Sequence, residues 1–312
     1  MGLPAPLEGR LRLPLVCAPM FLVSGPELVI AACRNGILGT FPALNRRSSE
    51  DFAAWLEEIE EALAGDTRAA PFGVNLIVHR SNRRLEADLR LCIEHRVPLV
   101  ITSLGAVPDL VREIHAYGGL VFHDIINRRH AEKAAEAGVD GLVLVCAGAG
   151  GHAGTLNPFA FMAEVRRLFS GTIVLAGALS TGSDILAARA MGADLAYMGT
   201  RFVATRESRA AEPYKRMLCS AGAGDILYTS AVSGIAGSFL RQSLEAAGID
   251  PEATSRGDLA AELERGELKA WRDIWSAGQG VAAIADIPPV AELVARLERE
   301  YRDARTRLCG PA

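Results

Sequence analysis

The stretch GLVLVCAGAGGHAG, residues 141–154, runs from an apolar segment directly into a loop of glycine and alanine that holds one histidine, His152. An apolar run without polar alternation is typical of a parallel strand that is buried on both faces. The loop has no bulky or charged side chain around the imidazole. Such a loop either makes a turn or lets a ligand lie against its backbone within reach of His152.

Seven other apolar runs of strand length occur along the chain, and helical patterns separate them. A strand followed by a helix, repeated eight times, predicts an α/β protein with a TIM-type (β/α)8 barrel. An open doubly wound sheet is the alternative, but eight units with short connections favour closure. The eight runs are 15–20, 36–41, 72–77, 98–103, 120–125, 141–146, 172–178 and 195–202.

The pattern changes after the eighth strand, and this change suggests a second unit. Residues 1–206 are predicted to form the barrel, and residues 207–285 a smaller, mainly helical subdomain that covers the substrate at one end. The C-terminal segment 286–312 contains a strongly amphipathic helix, which we expect to close the barrel.

Composition and charge exclude several classes of partner. The chain has 312 residues, a formal net charge of −4 and no basic block, which argues against nucleic acid. No apolar run approaches the roughly 18 residues of a membrane span, and the N-terminus lacks a signal-peptide core, so a cytoplasmic protein without a membrane partner is expected. The six cysteines show no metal-ligand spacing, and no metal site is expected.

The loops after the seventh and eighth strands, AGALSTG (176–182) and MGTR (198–201), form a candidate phosphate site. In such barrels the active site lies at the C-terminal ends of the strands, and phosphate often binds between these two loops. Their small residues let backbone N–H groups approach an anion, and the first loop opens a helix whose N-terminus favours negative charge. The alternative is that Gly177 and Gly199 only make tight turns.

The histidine loop follows the sixth strand and therefore neighbours this candidate phosphate site. Because glycine has no Cβ to hold a flat ring away from the backbone, a planar phosphate-bearing cofactor is indicated, either FMN or PLP. PLP requires a lysine for its Schiff base, but Lys133, Lys215 and Lys269 all lie outside the predicted strands. FMN is the predicted cofactor.

The ends of the first and third strands offer groups to such a ring. Pro19 has no N–H, whereas Ala18 and Met20 present backbone polar groups at the strand tip. Asn75 carries both a donor and an acceptor, which suits the mixed edge of an isoalloxazine. The alternatives are core packing for Met20 and a hydrogen bond inside the barrel for Asn75.

Together these segments resemble the nitronate monooxygenase (2-nitropropane dioxygenase-like) flavoproteins. The resemblance covers nearly the whole chain and implies a TIM-like barrel that holds non-covalent FMN, with a smaller helical domain over the active site. The matching stretches are APM (18–20), PFGVNL (71–76), GGHAG (150–154), AGALSTG (176–182), GADLAYMGTRFVAT (192–205) and IWSAGQGV (274–281).

The resemblance assigns His152 as the catalytic histidine. It places Asp124 where some members carry a cofactor-contacting lysine, and here Asp124 is expected to orient a neighbour or to touch the ribityl chain. Ser103 and His123, in the fourth and fifth strands, are further candidates for the substrate pocket, although an interior histidine is the alternative for His123. The implied FMN-binding residues are Ala18, Pro19, Met20, Asn75, Asp124, Gly151, Ala176, Gly177, Ala178, Gly199, Thr200, Gly278 and Gln279.

The implied reaction oxidises alkyl nitronates, or nitroalkanes, with O2 to carbonyl compounds and nitrite. His152 would act as a general base, for which its ordinary pKa of about 6.5 is suited, or as a hydrogen-bond donor to the nitro group. An NAD(P)H-dependent FMN reductase of quinones or enoyl thioesters on the same scaffold is the alternative. A third possibility, from another class, is a non-catalytic barrel that binds a phosphate ligand.

Overall fold

The computed structural model describes residues 2–232, 236–249 and 274–310. Eight parallel strands form a closed barrel in chain order, and the last pairs with the first. The predicted TIM-type (β/α)8 barrel is therefore confirmed. The strands are β1 (Leu15–Cys17), β2 (Leu38–Pro42), β3 (Phe72–Ile77), β4 (Leu99–Ser103), β5 (Leu120–Ile125), β6 (Gly141–Val145), β7 (Thr172–Ala176) and β8 (Leu195–Met198).

Helices connect the strands. Four predicted strands end early, the first, sixth, seventh and eighth. The first stops at Cys17 because Pro19 cannot donate to the ladder, and the eighth stops at Met198 because a short helix begins at Thr200. The helices are α1 (Pro26–Arg34), α2 (Ser49–Leu63), α3 (Leu85–Glu94), α4 (Pro108–Ala116), α5 (Arg128–Glu136), α6 (Pro158–Val165), α7 (Gly182–Ala190) and α8 (Thr200–Val203).

Side chains of each strand point alternately into the barrel and towards the helices. In β5, Phe122 packs in a cluster made of strand residues and the N-terminal segment, which fills the barrel. Val121 and Ile125 pack instead in the large cluster formed between strands and helices. This alternation decides which strand residues reach the cavity at the C-terminal end.

The chain after β8 adds helices and a small sheet. Strands β9 and β10 pair antiparallel, and this two-stranded sheet was not predicted. The division of the chain into domains stays a prediction. The elements are α9 (Glu212–Ser220), β9 (Ile226–Thr229), β10 (Gly237–Leu240), α10 (Arg241–Ala246), a 3-10 turn (Gln279–Ala283) and α11 (Val290–Cys309).

Helix α11 packs against α7 and α1 on the outside of the barrel. The contact with α7 is close, because a Cβ at Gly182 would lie 2.1 Å from the carbonyl oxygen of Leu297 and 2.4 Å from the nitrogen of Tyr301. Only glycine leaves room there for the backbone of α11. In the part of the chain that the structure describes, no helix combines the length and apolarity needed to cross a membrane.

Candidate functional site

A cavity of about 540 Å3 opens at the C-terminal ends of the barrel strands. Its size is that of a small-molecule site. It is lined by residues from the strand ends and from the loop before the 3-10 turn, and it brings together most of the residues predicted from sequence. These are Ala18, Pro19, Met20, Asn75, Ser103, Asp124, Gly151, His152, Ala176, Gly177, Ala178, Gly199, Thr200 and Gly278.

Two predicted residues do not line this cavity. Gln279 instead joins two loops, because its backbone N–H donates to the carbonyl of Gly148 at 2.9 Å. His123 is buried one residue before Asp124, so strand alternation turns it towards the helices, where its Nδ1 lies 2.7 Å from Thr102 Oγ1. Burial lowers the pKa of His123 to about 4, which leaves it neutral. The pocket prediction for His123 was therefore wrong, and it is an interior histidine.

A chain of hydrogen bonds crosses the ends of β3, β4 and β5 at the floor of the cavity. Asn75 Nδ2 donates to the carbonyl of Ile101 at 3.0 Å and to Ser103 Oγ at 2.8 Å. Ser103 Oγ in turn donates to Asp124 Oδ2 at 2.6 Å. Because the carbonyl of Ile101 can only accept, the amide orientation of Asn75 is fixed. Asn75 therefore offers a ligand an acceptor, its Oδ1, rather than both a donor and an acceptor.

Among the described residues, no cationic side chain lines the cavity beside the carboxyl group of Asp124. Neither lysine nor arginine lines the cavity within residues 2–232, 236–249 and 274–310. Burial raises the pKa of Asp124 to about 6, although the hydrogen bond from Ser103 opposes the rise. Oδ1 of Asp124 is buried and has no hydrogen-bond partner among the described residues. Tyr197, from β8, also lines the cavity and stays neutral, because burial and the nearby Asp124 raise its pKa.

The loop that carries His152 is held on both sides by the small antiparallel sheet. The backbone N–H of Ser238 in β10 donates to the carbonyl of Gly151 at 2.9 Å. Tyr228 Oη in β9 donates to the carbonyl of Ala153 at 2.9 Å. Burial lowers the pKa of His152 below its ordinary value, so the neutral imidazole predominates at neutral pH. The site thus presents a neutral histidine on an anchored loop.

Gly150 and Gly151 are glycine for two different structural reasons. A Cβ at Gly150 would lie 2.9 Å from the nitrogen of Gly278, and a Cβ at Gly278 would lie 2.6 Å from the carbonyl oxygen of Gly148. The two loops therefore pack backbone against backbone. Gly151 has φ of +70° and open space around its Cβ position, and it lines the cavity. Loop packing explains Gly150, whereas a left-handed backbone explains Gly151.

The N-terminus of α7 is already occupied by carboxylates. Asp184 Oδ2 accepts from the backbone N–H groups of Ser180 and Thr181 at 2.8 Å each, and Glu300 Oε2 accepts from Gly182 at 2.7 Å. These N–H groups are therefore not available to a phosphate, and the assignment of the phosphate to Ala176, Gly177, Ala178, Gly199 and Thr200 stays a prediction. Ser180 Oγ, by contrast, belongs to a cavity-lining residue and has no partner among the described residues.

Aromatic and aliphatic side chains surround the mouth of the cavity. The rings of Tyr214 and Trp275 stack with centroids 5.1 Å apart, and Tyr214 Oη donates to the carbonyl of Ser276. Phe21 and Leu104 line the cavity although 45% and 67% of their surface is exposed. None of these was predicted as a site residue, and of the four only Trp275 lies in a stretch recognised as a motif, IWSAGQGV. Ser180 and Tyr197 also lie inside stretches already recognised as motifs.

Comparison with known proteins places the chain in a family. Residues 81–300 match the family model described as nitronate monooxygenase. A nitronate monooxygenase from Paraburkholderia phytofirmans is 28% identical, over 95% of this chain and 94% of the relative. The (3aS,4S,5R,7aS)-5-hydroxy-7a-methyl-1-oxo-octahydro-1H-indene-4-carboxyl-CoA dehydrogenase of Rhodococcus jostii is 27% identical, over 84% and 72%.

A solved structure shares the fold of this chain. FabK from Thermotoga maritima superimposes with a TM-score of 0.81 and 26% identity, over 98% of this chain and 97% of that chain. The family model spans well over half of the sequence and includes the strand ends from β4 to β8. The chain belongs to the nitronate monooxygenase family of oxidoreductases.

Proposed function

We propose that the protein binds FMN in this cavity and oxidises alkyl nitronates, or nitroalkanes, with O2 to carbonyl compounds and nitrite. One observation carries the proposal: the neutral His152 and the hydrogen-bonded chain Asn75–Ser103–Asp124 line one cavity in a chain of the nitronate monooxygenase family. A ligand in this cavity would lie between the imidazole of His152 and the polar side chains of Asn75, Ser103 and Asp124.

Two buried polar atoms without partners support FMN as the ligand. Asp124 Oδ1 and Ser180 Oγ both belong to cavity-lining residues and lack hydrogen bonds among the described residues. A ligand with a polar ring at one part and a phosphate at another would satisfy both. Thr200 Oγ1 accepts from Gly278 N–H at 2.9 Å and keeps its own hydrogen to donate to that phosphate.

The remaining predicted residues fit the same ligand. Ala18, Pro19 and Met20 would lie along the ring, and Asn75 Oδ1 would accept a hydrogen bond from it. The loops 176–180 and 199–200 would hold the phosphate. The first N–H groups of α7 would not take part, because they already donate to Asp184 and Glu300. When bound, FMN supplies the transfer of electrons from substrate to O2.

His152 handles the proton in this scheme. Its neutral ring has one unprotonated nitrogen, which can accept the α-proton of a nitroalkane, and one N–H, which can donate to the nitro group of a nitronate. Gly151 and Ala153 are anchored to the small sheet on either side, which limits the positions that the imidazole can take.

The mouth of the cavity favours an alkyl chain on the substrate. Phe21, Leu104 and Trp275 supply apolar surface there. Since neither lysine nor arginine lines the described cavity, a second negative charge on the substrate would remain unpaired. Alkyl nitronates without a carboxylate therefore fit better than nitronates that carry one.

Steady-state turnover tests this function. Purified protein is mixed with propyl-2-nitronate in air, and nitrite release and O2 uptake are followed together. We expect both, in the presence of bound FMN, and their loss in His152→Ala. Absence of nitrite release by FMN-loaded protein would overturn the proposal.

A second function is supported by the similarity to a carboxyl-CoA dehydrogenase. The same scaffold would then act as an NAD(P)H-dependent FMN reductase of quinones or enoyl thioesters. Parallel assays with NADH and either a quinone or an enoyl thioester separate the two functions. Rapid NADH oxidation without a response to nitronates would establish the reductase.

A further inference from the structure

We propose that Asp124 binds FMN as a neutral carboxylic acid, which donates a hydrogen bond from Oδ1, and that Ser103 determines which oxygen carries the proton. This inference rests on FMN binding from the proposed function, and it adds a protonation state and a positioning residue to it. The inference depends on the direction of the hydrogen bonds at the cavity floor, and on the finding that no lysine or arginine among the described residues lines the cavity.

The direction of each hydrogen bond follows from the chemistry of the groups. Both hydrogens of Asn75 Nδ2 are used, one on the carbonyl of Ile101 and one on Ser103 Oγ. Ser103 therefore directs its only hydrogen to Asp124 Oδ2, at 2.6 Å. Since Oδ2 is an acceptor in this bond, any proton on the carboxyl group lies on Oδ1.

The surroundings of Asp124 disfavour its charged form. Asn75 and Ser103, from β3 and β4, are neutral, and Tyr197 from β8 is kept neutral by burial. Cys17, from β1, packs instead in the cluster between strands and helices and does not line the cavity.

The loop after β6 contributes only a neutral group as well. His152 has a pKa below its ordinary value. In the described part of the chain, no lysine or arginine lines the cavity to pair with a carboxylate. A flat ring over the cavity floor would remove the remaining water from the carboxyl group, which disfavours the charged form further.

The direction in which FMN affinity changes with pH follows from the linkage between FMN binding and protonation of Asp124. If FMN binds the protonated form, binding raises the pKa of Asp124 above its value of about 6 in the free protein. Affinity is then full below this pKa and falls as the pH rises through the window between the free and bound pKa values. A rise of one pKa unit on binding corresponds to an affinity loss of about tenfold across that window.

The test measures the Kd of FMN for the FMN-free protein between pH 5 and pH 8, by quenching of FMN fluorescence. Asp124→Asn is the matched variant, since its amide keeps a donor that does not titrate. The phosphate of FMN titrates equally in both proteins, so the ratio of wild-type Kd to variant Kd isolates Asp124. We expect this ratio to rise by about tenfold from pH 5 to pH 8.

Ser103 is tested in the same assay. Ser103→Ala removes the hydroxyl that lowers the pKa of Asp124, so the fall in affinity moves to higher pH. Ser103→Thr retains a hydroxyl and should restore the wild-type profile. A merely structural role of Ser103 would change Kd equally at every pH.

Infrared difference spectra between FMN-bound and FMN-free protein give a second readout that needs no activity. We expect a band of a protonated carboxyl group at pH 7, absent from Asp124→Asn. A Kd ratio that is constant with pH, together with no such band, would overturn this inference alone. Wild-type protein that binds no FMN at any pH would overturn the proposed function as well, so the two failures are distinguishable.

Discussion

Ser103 and Asp124 are joined by a hydrogen bond of 2.6 Å in which the serine hydroxyl donates, and this bond links β4 to β5 at the floor of the cavity. The same hydroxyl accepts from Asn75 on β3. One hydroxyl group therefore links two neighbouring side chains that line the cavity. Substitutions of Asn75, Ser103 or Asp124 should therefore change ligand affinity more than they change the stability of the barrel.

Replacing Asn75 by alanine should weaken FMN binding. The change removes the acceptor Oδ1 from the cavity and leaves the carbonyl of Ile101 without its donor, which destabilises the fold by about 1–3 kcal/mol. Asn82→Ala is the control, because Asn82 Nδ2 donates to the carbonyl of Ile77 at 2.9 Å yet does not line the main cavity. Titration calorimetry with FMN should show a loss of affinity in Asn75→Ala only. Thermal unfolding should report the loss of stability in each variant.

His152→Ala should retain FMN and lose turnover by about a hundredfold or more, the usual contribution of general acid–base catalysis. In the wild type, the neutral imidazole is the active form, so turnover of a neutral nitroalkane should fall as the pH drops through a pKa below 6.5. His115→Ala serves as the control, since His115 pairs with Asp140 outside the cavity. An acid limb above pH 6.5, or full activity of His152→Ala, would contradict the assignment.

Tyr228→Phe should lower turnover several-fold while FMN stays bound. The variant removes only the hydroxyl that donates to the carbonyl of Ala153, a bond of about 1 kcal/mol that anchors the His152 loop. Tyr301→Phe removes a hydroxyl on α11, a helix that packs against α7 and α1, and Tyr301 does not line the cavity, so kcat should stay unchanged. Equal kcat values for the two variants would show that the small sheet does not position the histidine.

Gly150→Ala and Gly151→Ala should destabilise the protein for different reasons. At Gly150 the added Cβ would lie 2.9 Å from a backbone nitrogen, so the loops must move apart, at a cost of about 1–3 kcal/mol. At Gly151 the space is open, and the cost of about 1 kcal/mol comes from φ of +70° alone. Gly138→Ala, with φ of +82° and open space, is the control for the second effect. Thermal unfolding should rank Gly150→Ala as the least stable of the three.

The substrate should carry a single negative charge. We expect kcat/KM for butyl nitronate to exceed that for propionate 3-nitronate by about tenfold or more, because the carboxylate of the latter finds no cation in the described cavity. Leu104→Arg, at the exposed mouth, should narrow this difference, whereas Leu104→Gln should not. A preference of the wild type for the carboxylate-bearing nitronate would contradict the prediction.

The barrel and the strand-end residues were predictable because their signals are local. Fully apolar runs mark buried parallel strands, and the barrel rule then places residues such as Asn75, Asp124 and His152 at one end. Strand alternation in LVFHDI also contains the information that Asp124 and His123 face opposite sides. The capping of α7 by Asp184, three residues after Thr181, was a local signal as well.

Other features depend on contacts between distant segments and leave no local signal. The bonds from Ser238 and Tyr228 to the His152 loop join residues about 75–90 positions apart. The same holds for Glu300, which reaches the N-terminus of α7 from the C-terminal helix. The role of Gly150 in loop packing likewise needs the position of Gly278.

Anaerobic mixing of the FMN-loaded protein with an alkyl nitronate tests the central claim most directly. The visible absorbance of the bound flavin should fall within the time of a turnover, return when O2 is admitted, and remain unchanged when NADH replaces the nitronate. Rapid loss of the absorbance with NADH, and none with the nitronate, would contradict the account.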